Sequence, residues 1–286
     1  MPCSSEVSVS LADELVSMLR CPACSGAQWD LRTRDGNDLP RLEGTLCCEA
    51  CGLGFDVRGG ALDMVPEIVE GRRADLRRRL ESPPLLRLYE ETFRHIPTPI
   101  ASDIRGADRI AWIKDHAPAG PVERVVDLGC GRGRDLVVMR NERSPRLAVG
   151  IDSSRALLSG AATNARLAQH TGFAFVRADL QRPPLGTDLF DWANCNGVLH
   201  RLGDPASALA GLASLLRPGG VFTCLTTLRL GVGPMEVGQR VLGRVARVHF
   251  FARHDLEGMF GRAGLEITDM KPFGAVVLIA ARRAPS

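Results

Sequence analysis

The sequence has few lysines, few aromatic residues and no long apolar run. Lys114 and Lys271 are its only lysines, so nearly all positive charge is arginine, and the formal net charge is only +3. A charge this small does not by itself indicate a nucleic-acid partner. No apolar run approaches the roughly 20 residues of a membrane span, and the N-terminus lacks the basic and apolar regions of a secretory signal. We therefore expect a cytoplasmic protein without a membrane span.

The composition suits a folded protein with more than one part. Of its 286 residues, 45% are hydrophobic and 24% charged, which allows a domain of ordinary size and a smaller one. Six of the nine cysteines fall within the first 51 residues. Because a cytoplasmic compartment is reducing, we do not expect disulfides. We predict a small cysteine-containing unit at 1–66, a helical connector or lid at 67–121, and a main domain at 122–286.

Strand-like and helix-like segments alternate along the main domain, and two closely spaced strands end the chain. The alternation predicts a parallel β-sheet covered by helices on both faces. The two final strands predict an antiparallel hairpin at the sheet edge. Gly219 and Gly220, after Pro218, indicate the end of a helix and the return to a strand. The fold class is therefore predicted to be α/β.

A glycine loop follows the first predicted strand of this domain, within VVDLGCGRGRD at 125–135. Gly129, Gly131 and Gly133 form G-x-G-x-G, whereas the dinucleotide fingerprint needs glycine at the position of Arg134. Glycines at the carboxyl end of a strand let a ligand approach the backbone, although they also serve tight turns. The loop alone therefore leaves a ligand site and a structural turn as open alternatives.

Aspartates end the next two predicted strands and favour the ligand site. Asp152 ends the second strand and Asp179 the third. A carboxylate at the first position can accept hydrogen bonds from both ribose hydroxyls, and one at the second can accept from an adenine amine. The alternative is that each aspartate only caps the helix that follows it.

Taken in order, these segments resemble the class I S-adenosylmethionine-dependent methyltransferases. The stretches that match are VVDLGCGRGRD, AVGIDSS, VRADLQRPPL, FDWANCNGVLHRL and LLRPGGVF. The resemblance covers roughly 122–286 and implies a Rossmann-like seven-stranded sheet whose last strand is antiparallel. It also implies the activity of a methyltransferase with S-adenosyl-L-methionine as cofactor.

The resemblance assigns parts of the cofactor to parts of the chain. Asp127 and the 129–133 loop would hold the methionine end, Asp152 the ribose, and Asp179 with Leu180 the adenine, while residues 194–196 would pass beside the sulfonium. The cofactor-binding candidates are Asp127, Gly129, Cys130, Gly131, Gly133, Asp152, Ser153, Asp179, Leu180, Asn194, Cys195 and Asn196.

His200 is the candidate catalytic residue, because family geometry would put it near the transferred methyl group. A base is needed only if the acceptor is a hydroxyl or an acidic carbon. The alternative is a histidine that fixes the loop structurally.

The N-terminal cysteines form the pattern CPAC at 21–24 and CEAC at 48–51. Paired C-x-x-C motifs predict tetrahedral Zn²⁺ held by Cys21, Cys24, Cys48 and Cys51, and four thiolates leave no open position for chemistry. Cys47 could replace Cys48, but Cys48 restores the two-residue spacing. A redox pair and inert core cysteines are the alternatives. The segment resembles zinc ribbons fused before some methyltransferases and the small zinc-ribbon activator of tRNA methyltransferases.

Two segments that we expect to cover the active site, 84–96 and 228–251, are mostly apolar and predict a small, fairly apolar acceptor. SPPLLRLYEETFRH at 82–95 resembles the connector of plastid and bacterial zinc-ribbon methyltransferases of small molecules. The apolar residues of the two segments are Leu85, Leu88, Tyr89, Phe93, Ile96, Val232, Met235, Val237, Val241, Leu242, Phe250 and Phe251.

Two other functions are weighed against this one. An RNA methyltransferase, resembling zinc-containing enzymes that methylate ribosomal-RNA guanine, would use the arginine run at 72–79 on phosphates. That run is also typical of a solvated helix face. A non-catalytic cofactor-binding scaffold is the third reading. No sequence feature indicates an oligomeric state.

Overall fold

The structure is a computed structural model that describes residues 11–33, 43–65, 106–167, 171–231 and 234–285. We call residues 11–33 and 43–65 the ribbon. The ribbon contains α1 (Leu11–Met18), β1 (Trp29–Thr33), β2 (Gly44–Cys48), β3 (Gly54–Arg58) and β4 (Ala61–Asp63). Gly59 and Gly60 join β3 to β4 with φ of 61° and 76°, as a tight turn requires.

The rest of the described chain alternates strands and helices. Its elements are α2 (Gly106–Asp115), β5 (Arg124–Leu128), α3 (Arg134–Arg143), β6 (Leu147–Asp152), α4 (Arg155–Leu167), β7 (Phe173–Arg177), β8 (Phe190–Asn196), a 3₁₀ turn (Leu199–Arg201), α5 (Pro205–Ser214), β9 (Leu216–Thr227), α6 (Pro234–Ala246), α7 (Arg253–Arg262), β10 (Leu265–Phe273) and β11 (Val276–Arg283).

One sheet runs through the described residues in the order β1-β2-β3-β4-β7-β6-β5-β8-β9-β11-β10. Neighbouring strands from β7 to β9 pair in parallel, and β11 is antiparallel to both β9 and β10. The predicted α/β fold with its edge hairpin is therefore confirmed. The carboxyl ends of β5, β6, β7 and β8 meet at one edge of the sheet, where ligands bind in such folds.

The central strands are covered on both faces, which explains their near-continuous apolar sequences. Val125 belongs to a buried cluster that includes Ile113 of α2, Leu136 of α3 and Leu158 of α4. Its neighbour Val126 points to the other face, into a second cluster formed by α1, α5 and α7. Period-two alternation along β5 thus separates the two layers of helices.

The ribbon is part of the same sheet, which the sequence did not predict. β4 pairs in parallel with β7. On α1, Glu14 is buried with its side chain 3% exposed and forms ion pairs with Arg124 at 2.6 Å and Arg146 at 2.7 Å. A buried carboxylate with two guanidinium partners fixes α1 against the amino ends of β5 and β6.

β9 begins at Leu216, so Pro218, Gly219 and Gly220 lie inside the strand rather than before it. They occupy an irregularity, because the register with β8 shifts between Phe190 and Trp192. Residues 67–105 of the predicted helical connector fall outside the described ranges, and the boundaries 1–66, 67–121 and 122–286 stay predictions.

Candidate cofactor site and thiolate cluster

The three glycines of the 129–133 loop have positive φ angles of 81°, 54° and 76°, which L side chains rarely adopt. A Cβ on Gly129 would lie 2.1 Å from Val198 Cγ2, so packing alone excludes a side chain there. At Gly131 no described atom lies within 4 Å of the Cβ position. Gly129 therefore packs closely against the loop that follows β8, while Gly131 presents bare backbone to open space.

Asp152 connects this loop to the end of β6. Its Oδ2 accepts from Gly131 N at 2.9 Å, and its Oδ1 accepts from Ser154 N at 2.8 Å. The carboxylate thus ties the turn before α4 to the glycine loop, whereas α4 itself is capped by Ser154 Oγ, which accepts from Leu157 N at 3.4 Å. Each carboxylate oxygen has further acceptor capacity, so this role is compatible with binding ribose hydroxyls. Asp179 likewise accepts from Gln181 N at 3.0 Å.

Asp127 and Asn194 form a buried pair beneath the loop. Asp127 is 2% exposed, and its Oδ1 accepts from Asn194 Nδ2 at 2.8 Å. Asn194 Oδ1 in turn accepts from Thr223 Oγ1 at 3.0 Å. Burial raises the pKa of Asp127 to about 8, the nearby carboxylate of Asp135 adds to the rise, and the hydrogen bond from Asn194 opposes it. Burial therefore favours the protonated form of Asp127 near neutral pH.

Asp135 was not singled out from the sequence, yet it lies in the same site. It is 6% exposed, and its Oδ2 accepts from Arg109 Nη1 at 2.8 Å and from Asn196 Nδ2 at 2.9 Å. Asp135 Oδ1 and Asn196 Oδ1 are buried and have no hydrogen-bond partner among the described residues. Two buried acceptors left open beside a carboxylate fit a cationic donor such as an ammonium group.

Little in the sequence indicates that Asp135, Arg109 and Asn196 lie together. Asp135 stands at the end of the quoted loop stretch and is the acidic residue in the first turn of α3. Arg109 comes from α2, far upstream, and only packing of α2 against α3 brings it to Asp135. Asn196 was predicted near the sulfonium, and the structure places it beside Asp135.

The side chains of several other candidates point into the core. Cys130 is 8% exposed and lies against Gly150, where a Cβ would be 2.8 Å from its Sγ. Burial raises the pKa of the Cys130 thiol well above its ordinary value. Cys195 is fully buried, and Leu180 is 5% exposed. The Cys195 side chain is therefore not available to a ligand.

His200 lies in the 3₁₀ turn after β8 and is 8% exposed. Its Nδ1 is 3.5 Å from Thr226 Oγ1, and its carbonyl accepts from His249 N at 2.8 Å. Burial lowers the pKa of His200 to about 4, with a smaller effect from His249. The imidazole is thus neutral at physiological pH.

The 228–251 segment begins at the end of β9 and returns beside His200. Gln239 of α6 is 1% exposed; its Oε1 accepts from Leu230 N at 2.8 Å and its Nε2 donates to Leu228 O at 3.0 Å. These bonds anchor α6 near the carboxyl edge of the sheet. Val237 and Val241 are 58% and 57% exposed on this helix. The predicted segment 84–96 is not among the described residues.

The structure brings together the four predicted thiols of the ribbon. The sulfur atoms of Cys21, Cys24, Cys48 and Cys51 all lie within 4.8 Å of one another. The pairs Cys21–Cys51 and Cys24–Cys48 are 3.7 Å and 3.6 Å apart. Tetrahedral Zn²⁺ with Zn–S bonds of about 2.3 Å requires S···S distances of roughly 3.8 Å, so the cluster fits this metal.

The backbone around the cluster supports this arrangement. Burial raises the pKa of the Cys48 thiol, but backbone hydrogen bonds from Cys51 and Ala50, with the neighbouring thiols, bring it down to about 7. The backbone hydrogen bond from Gly26 lowers the pKa of the Cys24 thiol, but the neighbouring thiols and burial raise it to about 12, so the cluster shares its negative charge unevenly. A Cβ on Gly26 would lie 3.3 Å from the sulfurs of Cys24 and Cys48. Cys47 is not part of this cluster.

The strand order and the open glycine loop define a class I S-adenosylmethionine-dependent methyltransferase fold. A family model described as a methyltransferase domain matches residues 79–269, which is more than half of the chain, so the chain belongs to that family. The predicted family is therefore confirmed.

Individual proteins are similar to parts of the chain. Trans-aconitate 2-methyltransferase of Deinococcus radiodurans is 35% identical over 104 residues, covering 36% of this chain and 38% of that protein. Ubiquinone biosynthesis O-methyltransferase of Aeromonas salmonicida is 31% identical over 113 residues, covering 39% and 46%. The chain thus spans less than half the length of either relative.

A solved structure shows the same fold. Geranyl diphosphate C-methyltransferase from Streptomyces coelicolor A3(2), in complex with Mg²⁺, geranyl diphosphate and S-adenosyl-L-homocysteine, superposes with a TM-score of 0.55 at 18% identity. The superposition covers 62% of this chain and 77% of that one. Within the described parts of the chain, no helix has the length and apolarity needed to cross a membrane.

Proposed function

We propose that the protein transfers a methyl group from S-adenosyl-L-methionine to a small, mostly apolar acceptor. The observation that carries the proposal is the pair of open, buried acceptors, Asp135 Oδ1 and Asn196 Oδ1, at the same carboxyl edge of the sheet as the bare backbone of Gly131. The cofactor has an α-ammonium group at its methionine end, and a cationic donor is what these oxygens lack.

Each part of the site has a role in this proposal. Asp135 and Asn196 accept from the ammonium group, and Gly131 leaves room for the methionine chain. Asp152, at the end of β6, accepts from the ribose, and Asp179 and Leu180 flank the adenine. When bound, S-adenosyl-L-methionine supplies an electrophilic methyl group on a sulfonium, so much of the rate acceleration comes from positioning two reactants in a dry pocket.

His200 is proposed as the proton acceptor for an acceptor molecule that carries a hydroxyl or an acidic carbon. Its imidazole is already neutral at physiological pH because burial lowers its pKa to about 4. A low pKa also makes it a weak base, so it can assist only where the substrate proton becomes acidic in the transition state.

The choice of a small acceptor is supported by the chain's relatives and by α6. The relatives described above are named for trans-aconitate and for ubiquinone biosynthesis, and the structural neighbour binds geranyl diphosphate. The exposed Val237 and Val241 give α6 an apolar surface near the carboxyl edge of the sheet. A mostly apolar lining with few polar groups is typical of small-molecule pockets.

The four-thiolate cluster is proposed to hold one structural Zn²⁺. Four protein ligands leave no position for water or substrate, so the metal would stabilise the ribbon rather than take part in methyl transfer. A cytoplasmic location follows as part of the same proposal, because free thiols and zinc thiolates persist in a reducing compartment.

The proposal is tested by incubating the purified chain with isotopically labelled S-adenosyl-L-methionine and fractionated cell extract. Label in the small-molecule fraction is the expected result. Robust labelling of one nucleotide in ribosomal RNA or tRNA, abolished when Arg77, Arg78 and Arg79 are changed to glutamate, would favour the RNA reading instead. Cofactor binding without label in any fraction would favour a scaffold.

A further inference from the structure

The last strand of the ribbon reaches the edge of the sheet where the cofactor site is proposed. The parallel pairing of β4 with β7 puts Asp63 opposite Arg177. Asp63 Oδ2 accepts from Arg177 Nη1 at 3.0 Å and also from Arg155, the first residue of α4. The side chains of Asp63 and Arg177 are only 12% and 13% exposed, so water screens this ion pair weakly.

Arg177 connects Asp63 to the backbone that directly follows β6. Its Nε donates to the carbonyl oxygen of Ser153 at 3.0 Å, while its Nη1 faces Asp63. Because the guanidinium is planar and rigid, the group that fixes Nη1 also fixes the direction of Nε. Ser153 directly follows Asp152, whose carboxylate accepts from Gly131 N and Ser154 N.

We propose that Asp63 of the ribbon is a positioning residue for cofactor binding. Through Arg177 it holds the Ser153 backbone, and with it the Asp152 carboxylate, in the arrangement that receives the ribose. The inference rests on the proposed function, because it requires that Asp152 binds the ribose of the cofactor. The ribbon thereby contributes to cofactor affinity although its thiolate cluster takes no part in methyl transfer.

The charge of Asp63 is essential to this arrangement. Without it, Arg155 and Arg177 are like charges that have lost the carboxylate they share, and a largely buried guanidinium tolerates such a loss poorly. Arg177 is then expected to turn, which releases the Ser153 carbonyl and loosens the end of β6 that carries Asp152.

The test compares Asp63→Asn with Glu14→Gln in the full chain. Both variants remove the charge of a buried ribbon carboxylate, but Glu14 pairs with Arg124 and Arg146 at the amino ends of β5 and β6. Binding of S-adenosyl-L-methionine and S-adenosyl-L-homocysteine is measured by calorimetry. We expect Asp63→Asn to raise Kd roughly three- to tenfold. Glu14→Gln should lower the melting temperature and leave Kd within twofold.

Arg177→Lys tests the same path without altering the ribbon, because lysine keeps the charge beside Asp63 but lacks an Nε–H directed at Ser153. It should raise Kd to a similar extent, and the Asp63→Asn/Arg177→Lys double variant should add little further. This variant also decides the question if Asp63→Asn fails to fold.

Two kinds of result would overturn the inference. Unchanged Kd in Arg177→Lys or in folded Asp63→Asn would remove the path, and an equal rise in Glu14→Gln would reduce the effect to general loosening of the ribbon. If the unmodified chain binds neither ligand, the proposed function fails together with this inference. If it binds both and Asp63→Asn binds them equally well, only the inference fails.

Discussion

The amide of Gly131 donates to Asp152 Oδ2 over 2.9 Å, so the glycine loop and the end of β6 are held by one carboxylate. This bond accounts for two features of the sequence at once. Glycine at 131 tolerates the φ of 54° that the loop adopts there, and aspartate at 152 supplies the acceptor for its N–H. The first prediction follows from it.

Asp152→Ala should lower the affinity for S-adenosyl-L-methionine at least tenfold. The change removes charge-assisted acceptors, each typically contributing ~1.5–3 kcal/mol, and frees the loop amide. Calorimetric titration measures the loss. Asp191→Ala is the matched control, because Asp191 also accepts from two backbone amides, Glu123 N at 2.8 Å and Arg124 N at 2.9 Å, at the opposite edge of the sheet. Equal affinity in Asp152→Ala and the unmodified chain would reject the ribose assignment.

Asp127→Asn should stabilise the cofactor-free protein at alkaline pH. Burial raises the folded-state pKa of Asp127 from 3.8 to about 8, so the folded chain binds more protons than the unfolded chain between these values. The free energy of unfolding therefore falls as pH rises from about 4 to about 8. Asparagine keeps an acceptor for Asn194 and carries no charge, so at pH 8 the variant should melt at least ~2–4 °C higher, which is what about 1 kcal/mol contributes at this size.

Thermal unfolding across pH 4 to 8 measures this difference, which should disappear toward pH 4. Asp204→Asn is the control, since Asp204 caps α5 by accepting from Ser207 N at 3.1 Å and asparagine caps a helix equally well. Parallel pH profiles of Asp127→Asn and the unmodified protein would contradict the prediction.

His200→Gln should lower kcat by about 100-fold on a hydroxyl or acidic-carbon acceptor, the lower end of the usual contribution of a positioned base, because a pKa of about 4 makes His200 a weak base. Cofactor affinity should be unchanged. Steady-state kinetics with the identified acceptor, together with calorimetry, measure the two quantities. A loss of kcat below tenfold would assign His200 a structural role beside Thr226.

The same variant should make the fold less sensitive to acid. The folded-state pKa of His200 is about 4, below its ordinary 6.5, so the unfolded chain binds the proton more readily between these values. The free energy of unfolding should therefore decrease as pH falls from 6.5 toward 4, and the decrease should be smaller in His200→Gln. Denaturant titrations at pH 7 and pH 5 measure the two slopes, and identical losses in both proteins would contradict this prediction.

Cys48→Ser should abolish metal binding, whereas Cys47→Ser should retain about one zinc per chain. The reason is geometric, because Cys48 Sγ lies 3.6 Å from Cys24 Sγ and Cys47 is outside the cluster. Elemental analysis of protein purified without chelators measures the content. Zinc retained in Cys48→Ser and lost in Cys47→Ser would reverse the assignment, and an unmodified chain without metal would refute the site.

The sequence by itself determined the elements with local signatures. The alternation along 122–286, the glycine loop and the final hairpin each have a pattern set by neighbouring residues, because backbone conformation and side-chain facing depend on spacings of two to four positions. The paired C-x-x-C motifs likewise identified the four thiols that the structure brings together.

Contacts between distant segments were decided only by the tertiary structure. Arg109 and Asp135 meet because α2 packs on α3, and Asp63 meets Arg177 because β4 adds to the sheet beside β7. Neither pair has a sequence spacing that indicates contact. The pKa values of Asp127 and His200 depend in the same way on burial by segments far along the chain, since desolvation is a property of the packed interior rather than of local sequence.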